Sequence, residues 1–141
     1  MAPTKTSILF VCTHNSARSQ LAEALMRNDL GDRYESYSAG TERTFVKPHA
    51  LLALQEIGID TQQLYSKTLD DLAPLQTDIV VTVCDNAKES CPFVVGRNQT
   101  IHHEFEDPSS KGKTPLENLQ AFRETRDQIR EWIRLEFGSR G

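Results

Sequence analysis

The chain has 141 residues, of which 38% are hydrophobic and 26% are charged, a composition typical of one globular domain. Its formal net charge of −4 gives no general attraction for nucleic acid. No apolar run approaches the ~18 residues of a membrane span, and the first residues lack the pattern of a secretory signal. We therefore expect a single cytoplasmic domain over residues 1–141, with no nucleic-acid or membrane partner.

The chain contains three cysteines, Cys12, Cys84 and Cys91. Reducing compartments do not favour permanent disulfides, and the disulfides found there are usually transient or catalytic. An odd number of cysteines also argues against a fixed disulfide framework. The cysteines are therefore candidates for chemistry.

The first predicted element is a buried strand, which is followed closely by a helix. Residues 8–11 form an apolar run typical of a strand in a parallel sheet. Apolar residues return at helical spacing over residues 21–26. Between the two elements lies a short polar loop that begins at Cys12 and reaches Arg18.

The remaining segments alternate between predicted strands and helices. In chain order they are a short strand at 35–38 closed by Ala39-Gly40, a helix opened by Pro48 and ended by Gly58, a short helix around Leu69, Leu72 and Leu75, a buried strand at 78–83, a shorter strand at 101–105, and a last helix that begins at a capping box on Thr114 and extends to Phe137. Residues 85–100 show no clear periodicity and predict a loop. The alternation predicts a three-layer α/β/α domain built on a parallel sheet.

The polar loop is predicted to bind an oxyanion. Backbone N–H groups at the start of a helix attract anions, and the guanidinium of Arg18 can hold two oxygens of a tetrahedral oxyanion. The thiol of Cys12 lies in the same field, so we expect its pKa to lie well below ~8.5. Asn15 suits a position with positive φ, and the Ser19 hydroxyl can donate to the Cys12 sulfur. The residues assigned to oxyanion binding are Thr13, His14, Asn15, Ser16, Ala17, Arg18 and Ser19.

A cysteine, five residues and an arginine form the signature of the protein tyrosine phosphatase loop. Its place near the N-terminus, with Asn15 and Ser19 inside it, resembles the low-molecular-weight phosphatase superfamily. The resemblance extends to the turn at Ser38-Ala39-Gly40 and implies a four-stranded parallel sheet. The alternative is a buried structural cysteine beside a surface arginine, which gives no reason for the five small or polar residues between them.

Asp107-Pro108 directly follows the last predicted strand. A carboxyl group there could hang over the oxyanion and act as the general acid. The resemblance implies this role, because the superfamily keeps its acid in an aspartate–proline pair. Asp-Pro is also a common turn, and the pair alone does not decide between the two interpretations.

The stretch from Val81 to Pro92 closely resembles the redox segment of the thioredoxin-coupled arsenate reductases, which share the phosphatase fold. The resemblance implies a relay in which Cys12 attacks arsenate and Cys84 attacks the resulting adduct to release arsenite. Cys91 then attacks the Cys84 sulfur, which leaves a Cys84–Cys91 disulfide for thioredoxin to reduce. The implied substrate is arsenate and the implied partner is thioredoxin, with no bound cofactor. We expect a monomer.

Three positions depart from the superfamily pattern. Ala17 replaces a frequent extra cysteine, which should not matter because that cysteine is outside the relay. His14 stands where glycine is common, which places a side chain at the rim of the loop. Lys67 stands where some members carry an acidic residue that helps to bind a monovalent cation. Because a lysine ammonium disfavours a cation and can substitute for it, we expect no potassium ion there.

Two other functions fit part of the pattern. A phosphatase would use the same loop and Asp107, with the two later cysteines protecting the Cys12 thiol from oxidation. It would lack the aromatic pair that phosphatases of the superfamily carry beside the aspartate–proline pair. A zinc-binding module is the second alternative, with the ligands Cys84, Cys91, His102 and His103. The spacing of these ligands is poor for a tetrahedral site, so we predict no metal.

Overall fold

The structure is a computed structural model that describes residues 4–72, 75–84 and 93–140. Its strands and α-helices, in chain order, are β1 (Thr6–Val11), α1 (Arg18–Leu30), β2 (Tyr34–Ala39), α2 (Pro48–Gln55), β3 (Ile79–Thr82), β4 (Gln99–His102) and α3 (Pro115–Phe137). Single turns of 3-10 helix occur at Asp70–Leu72 and Pro108–Ser110. Among the described residues, no helix is both long and apolar enough to cross a membrane.

The four strands form one parallel sheet in the order β2-β1-β3-β4. This confirms the predicted α/β class and the four-stranded parallel sheet. The register pairs Val11, the last residue of β1, with Ala39 of β2 and Thr82 of β3. The strands therefore end together at one edge of the sheet, which is where open parallel sheets place their ligands.

The main core lies on one face of the sheet. Successive side chains of a strand point to opposite faces, so Ile8 and Phe10 share one face and Leu9 and Val11 the other. Ile8 and Phe10 belong to one buried cluster with the apolar residues of α1, α2 and α3. The opposite face carries a smaller cluster, against which Leu72 packs.

The last helix begins where the capping box predicted. The Thr114 hydroxyl accepts a hydrogen bond from the Glu117 N–H at 3.1 Å, and Pro115 takes the first helical position. The buried side chains of the helix include Phe122 and Ile129 in the main core. The cap and the apolar stripe together orient α3 across the sheet.

The predicted short helix around Leu69, Leu72 and Leu75 is a single 3-10 turn, Asp70–Leu72, in the described residues. The side chains of Thr68 and Asp71 each accept a hydrogen bond from the other's backbone N–H, at 3.1 and 2.9 Å. These two local bonds fix the start of the turn.

The last strand is displaced from its predicted position at 101–105 and spans Gln99–His102. Its partner β3 ends at Thr82, so regular pairing ends at His102. The chain nevertheless continues alongside, because the N–H of Phe105 donates to the carbonyl of Val83 at 3.1 Å. This continuation carries residues 103–107 along the ligand edge of the sheet.

Ile129→Ala should lower the free energy of unfolding by about 2–5 kcal/mol, because it removes buried methyl groups and leaves a cavity in the main core. Leu116→Ala is the matched control, since Leu116 lies on the same helix but is 69% exposed. The control should change stability by less than about 0.5 kcal/mol. Urea denaturation measures both variants, and equal losses would contradict the assigned core.

Candidate active site

The loop between β1 and α1 brings the first two candidate residues together. Cys12 directly follows β1, and Arg18 is the first residue of α1. Both are buried. The predicted arrangement of strand, polar loop and helix is therefore confirmed.

The loop carbonyls are turned toward the segment 40–47 that follows β2. The carbonyl of Thr13 accepts from the N–H groups of Thr41 at 2.8 Å and Glu42 at 3.1 Å. The carbonyl of Ser16 accepts from the N–H of Lys47 at 2.9 Å. In a trans peptide the C=O and the following N–H point in opposite directions. These bonds therefore direct the following N–H groups to the inside of the loop, where an oxyanion can accept them.

The carbonyl of His14 is held in the same way by side chains. It accepts from the hydroxyl of Thr44 at 3.0 Å and from the hydroxyl of Ser66 at 3.2 Å. The segment 40–47 approaches so closely that a Cβ at Gly40 would lie 2.5 Å from the Thr13 carbonyl oxygen. The turn at Ser38-Ala39-Gly40 therefore needs glycine at position 40, because any side chain would clash with the loop backbone.

Asn15 has φ = 50°, as predicted, and is fully buried. Its amide nitrogen donates to the hydroxyls of Ser19 and Ser38, both at 2.9 Å. Its amide oxygen accepts from the N–H of Lys67 at 2.7 Å. These bonds fix the left-handed residue that bends the loop. The donation from Ser19 to the Cys12 sulfur stays a prediction.

The guanidinium of Arg18 meets Asp107, which lies beyond β4 at the start of the 3-10 turn Pro108–Ser110. It donates to the carbonyl of Phe105 at 3.2 Å and lies 3.8 Å from a carboxylate oxygen of Asp107. The other oxygen of Asp107 accepts from the N–H of Ser109 at 2.9 Å and caps the 3-10 turn. Asp107 is therefore a turn residue that also lies beside the oxyanion loop, and its role as the general acid stays a prediction.

Cys84 lies at the same edge of the sheet, two residues beyond β3, and is fully buried. The N–H of Val83 donates to the carbonyl of Val11 at 3.0 Å, so the chain runs beside β1 up to the loop. Cys12 and Cys84 therefore follow neighbouring strands, and both belong to the same buried cluster. Cys91 lies outside the described residues.

A buried ion pair supports the loop from behind. The ammonium of Lys67 lies 3.3 Å from a carboxylate oxygen of Glu23 and donates to the carbonyl of Tyr65 at 2.8 Å. Burial lowers the pKa of Lys67, and the Glu23 carboxylate opposes that shift. Glu23 also pairs with Arg27 at 2.7 Å. The ammonium takes the place beside the carboxylate that a bound cation would need.

The sequence analysis missed Gln20 and Glu23. The amide nitrogen of Gln20 donates to the side-chain oxygen of Asn15 and to the carbonyl of Tyr65, both at 2.8 Å. Gln20 is fully buried and Glu23 is 3% exposed. The sequence did contain a signal, because Gln20 and Glu23 flank the apolar pair 21–22 on the buried part of a helix. Long polar side chains in such a position need buried hydrogen-bond partners.

The mouth of the loop is a cavity of about 320 Å³. Its lining residues are His14, Ser16, Thr44, Phe45, Lys47, Asp107 and Ser109. The imidazole Nε2 of His14 lies 3.1 Å from a carboxylate oxygen of Glu42. The predicted rim position of His14 is therefore confirmed, and its side chain is fastened there.

His102 and His103, which the alternative function would use as zinc ligands, contact other side chains. The Nδ1 atom of His102 lies 2.6 Å from the Thr82 hydroxyl, and the ring of His103 stacks on Trp132 with centroids 4.7 Å apart. Within residues 4–72, 75–84 and 93–140, no group of three or more metal-binding side chains occurs.

A parallel four-stranded sheet and a cysteine–arginine loop at its ligand edge define a class of phosphatase-like thiol enzymes. The low molecular weight phosphotyrosine protein phosphatase family matches residues 7–135. The chain belongs to this family.

Relatives within this fold include reductases. An arsenate reductase of Halalkalibacterium halodurans is 40% identical over 130 residues, which cover 92% of this chain and 94% of that protein. A solved structure of an arsenate reductase in the phosphate binding state has a TM-score of 0.72 at 26% identity, covering 92% of this chain and 95% of that one. The structure of a thioredoxin-dependent arsenate reductase of Corynebacterium glutamicum has a TM-score of 0.66 at 27% identity, covering 99% of this chain and 66% of that one. The resemblance drawn from the sequence is confirmed.

Lys67→Asp should make the stability of the protein depend on potassium. In the wild type the Lys67 ammonium neutralises Glu23, so the melting temperature should be equal in KCl and in choline chloride of the same ionic strength. The aspartate variant places two carboxylates together, so it should melt lower in choline chloride and recover partly in KCl.

Lys67→Met is the matched control for this experiment. It breaks the buried pair, which costs about 3–5 kcal/mol, but it adds no second carboxylate and should show no recovery in KCl. Circular dichroism measures all three proteins. A wild-type melting temperature that rises in KCl over choline chloride would contradict the role given to Lys67.

Proposed function

We propose that the protein reduces arsenate to arsenite at the Cys12 thiol, with Cys84 and Cys91 as successive resolving thiols and thioredoxin as the reductant. The observation that carries the proposal is the pairing of the chains after β1 and β3, which makes Cys12 and Cys84 neighbours at the ligand edge. A phosphatase needs only the first of these cysteines. The names of the similar reductases support the same assignment.

Substrate binding follows from the loop geometry. Arsenate has the shape and charge of phosphate, so the inward N–H groups of the loop and the guanidinium of Arg18 can share its oxygens. One terminal nitrogen of the Arg18 guanidinium donates to the Phe105 carbonyl, and this bond holds Arg18 in position. Lys47 adds a positive charge at the mouth. These groups provide the anion with a site that is prepared before it binds.

The first chemical step is attack by the Cys12 thiolate on arsenic(V). A sulfur–arsenic bond forms and an arsenic–oxygen bond breaks, with Asp107 donating a proton to the departing oxygen. The place of Asp107 beside the Arg18 guanidinium supports this role. The product is an adduct between arsenic and the Cys12 sulfur.

The second step transfers two electrons to arsenic. The Cys84 thiolate attacks the Cys12 sulfur, the sulfur–arsenic bond breaks, and its electron pair stays on arsenic as arsenite leaves. Cys91 then attacks the Cys84 sulfur and releases Cys12 as a thiolate. Thioredoxin supplies two electrons to the remaining disulfide.

A weak phosphatase activity is proposed as a side reaction of the same loop. Membership of the phosphatase family supports it, because both reactions begin with the attack of one thiolate on a bound oxyanion. The residues around Asp107 are Phe105, Glu106 and Ser109, so the aromatic pair that would grip an aryl ester is missing there. We therefore propose arsenate reduction as the main activity and phosphate ester hydrolysis as the minor one.

Cys12→Ser and Arg18→Ala should each abolish both activities, by at least about a thousandfold, because both reactions begin at the same contact of thiolate and oxyanion. Arsenate reduction is measured as arsenate-dependent NADPH consumption with thioredoxin and thioredoxin reductase. Phosphatase activity is measured with p-nitrophenyl phosphate. Circular dichroism controls for folding. More than a trace of either activity in the serine variant would remove Cys12 from its role.

Cys84→Ser and Cys91→Ser should fail at different steps. The Cys91 variant should release one equivalent of arsenite and accumulate a Cys12–Cys84 disulfide, because only the last exchange is blocked. The Cys84 variant should release none, because its adduct has no internal resolving thiol. Phosphatase activity needs neither residue and serves as the internal control in both variants.

Peptide mapping after one round with excess arsenate and no reductant distinguishes these outcomes. Full single turnover in the Cys84 variant, with Cys12 paired to Cys91, would show that the order of the relay is wrong. If the wild type hydrolyses p-nitrophenyl phosphate but shows no arsenate-dependent turnover with any thiol system, the protein is a phosphatase.

A further inference from the structure

We propose that His14 is a specificity-determining residue: its imidazole, held by Glu42, narrows the mouth of the loop so that free oxyanions are accepted in preference to phosphate monoesters. The inference rests on the proposed function and names the substrate class of the same site. It depends on a residue in which this chain departs from the superfamily pattern.

The backbone of His14 is fixed, and its side chain projects from the loop. Within residues 12–19, His14 is the one exposed residue, whereas Thr13 is half-buried and the others are buried. Its carbonyl accepts hydrogen bonds from the hydroxyls of Thr44 and Ser66. The direction in which the imidazole leaves the loop is therefore set by the fold.

The imidazole is also fixed at its far end. Its Nε2 atom lies 3.1 Å from the Glu42 carboxylate, and the backbone N–H of Glu42 donates to the carbonyl of Thr13 at 3.1 Å. The imidazole and its partner are thus both attached to the same turn of the loop. This ion pair is exposed to solvent and is therefore weak, but together with the fixed backbone it favours one placement of the ring, which forms a wall at the rim.

The wall borders a cavity beside the loop. This cavity of about 320 Å³ is also lined by Ser16 of the loop and by Asp107, which lies 3.8 Å from the Arg18 guanidinium. A free oxyanion needs only the loop. The organic group of a monoester has to extend past the rim of the loop, where His14 and Phe45 line the cavity.

Bulk at such a wall changes specificity measurably. A difference of one methylene in a pocket changes the selectivity of an enzyme by about 10–200-fold, and an imidazole is larger than a methylene. The steric effect acts on the ester group. It does not change the contacts that Arg18 and the loop N–H groups make with the oxyanion. The ratio of the two activities is therefore the quantity that His14 controls.

His14→Ala should raise kcat/KM for p-nitrophenyl phosphate relative to kcat/KM for arsenate by at least about tenfold, because it opens the mouth beside the ester group. His14→Gln is the matched control, since it keeps side-chain bulk and an N–H donor for Glu42, and its ratio should stay within about twofold. Glu42→Ala frees the imidazole and should shift the ratio in the same direction as His14→Ala, by a smaller factor.

A ratio that His14→Ala leaves unchanged would overturn the proposal. An equal fall of both activities would overturn it too, because it would show a structural role for the side chain. Inorganic phosphate, used as a competitive inhibitor of p-nitrophenyl phosphate hydrolysis, gives a reading that needs no reductase activity. Its Ki should change less than KM for the ester in His14→Ala, so His14 can be tested even if arsenate reduction fails.

Discussion

The outward direction of the loop carbonyls is the constraint on which the rest of the site depends. Backbone N–H groups can converge on an anion only when the carbonyls of the same peptide units find hydrogen-bond donors elsewhere. Here the donors come from the segment 40–47 and from Ser66, which bind the carbonyls of Thr13, His14 and Ser16. Gly40 is required because a larger residue would push that segment away from the loop. The oxyanion site is therefore built by two crossing segments, of which only one carries the cysteine–arginine motif.

The same constraint explains how one fold can serve two chemistries. The oxyanion loop is common to phosphatases and arsenate reductases, since phosphate and arsenate offer the same oxygens to the same donors. The proposed reduction differs from phosphate transfer in its need for a second thiol, and Cys84 follows the strand next to β1 in the same buried cluster as Cys12. The buried pair of Glu23 and Lys67 lies behind the loop, so it can stiffen the anion site without approaching the anion.

Much of this arrangement could be predicted from the sequence because it depends on local patterns. The apolar runs of β1 and β3, the cap at Thr114 and the positive φ of Asn15 each follow from a few adjacent residues. Contacts between distant segments leave no such pattern, and the bonds from residues 40–47 to the loop carbonyls were therefore missed. The displaced β4 has the same origin, since the end of β3 decides where its pairing stops. The single 3-10 turn at Asp70–Leu72 depends instead on the local bonds between Thr68 and Asp71.

The most direct test of this account is the reactivity of the Cys12 thiol toward iodoacetamide, followed by mass spectrometry of the Cys12 peptide in reduced protein. If the loop holds a thiolate beneath an anion site, Cys12 should be alkylated at close to its maximal rate at neutral pH. Arsenate and phosphate should both protect it, whereas chloride of equal ionic strength should not. Alkylation that rises only at alkaline pH, as for an ordinary thiol, with no protection by either oxyanion would contradict the account.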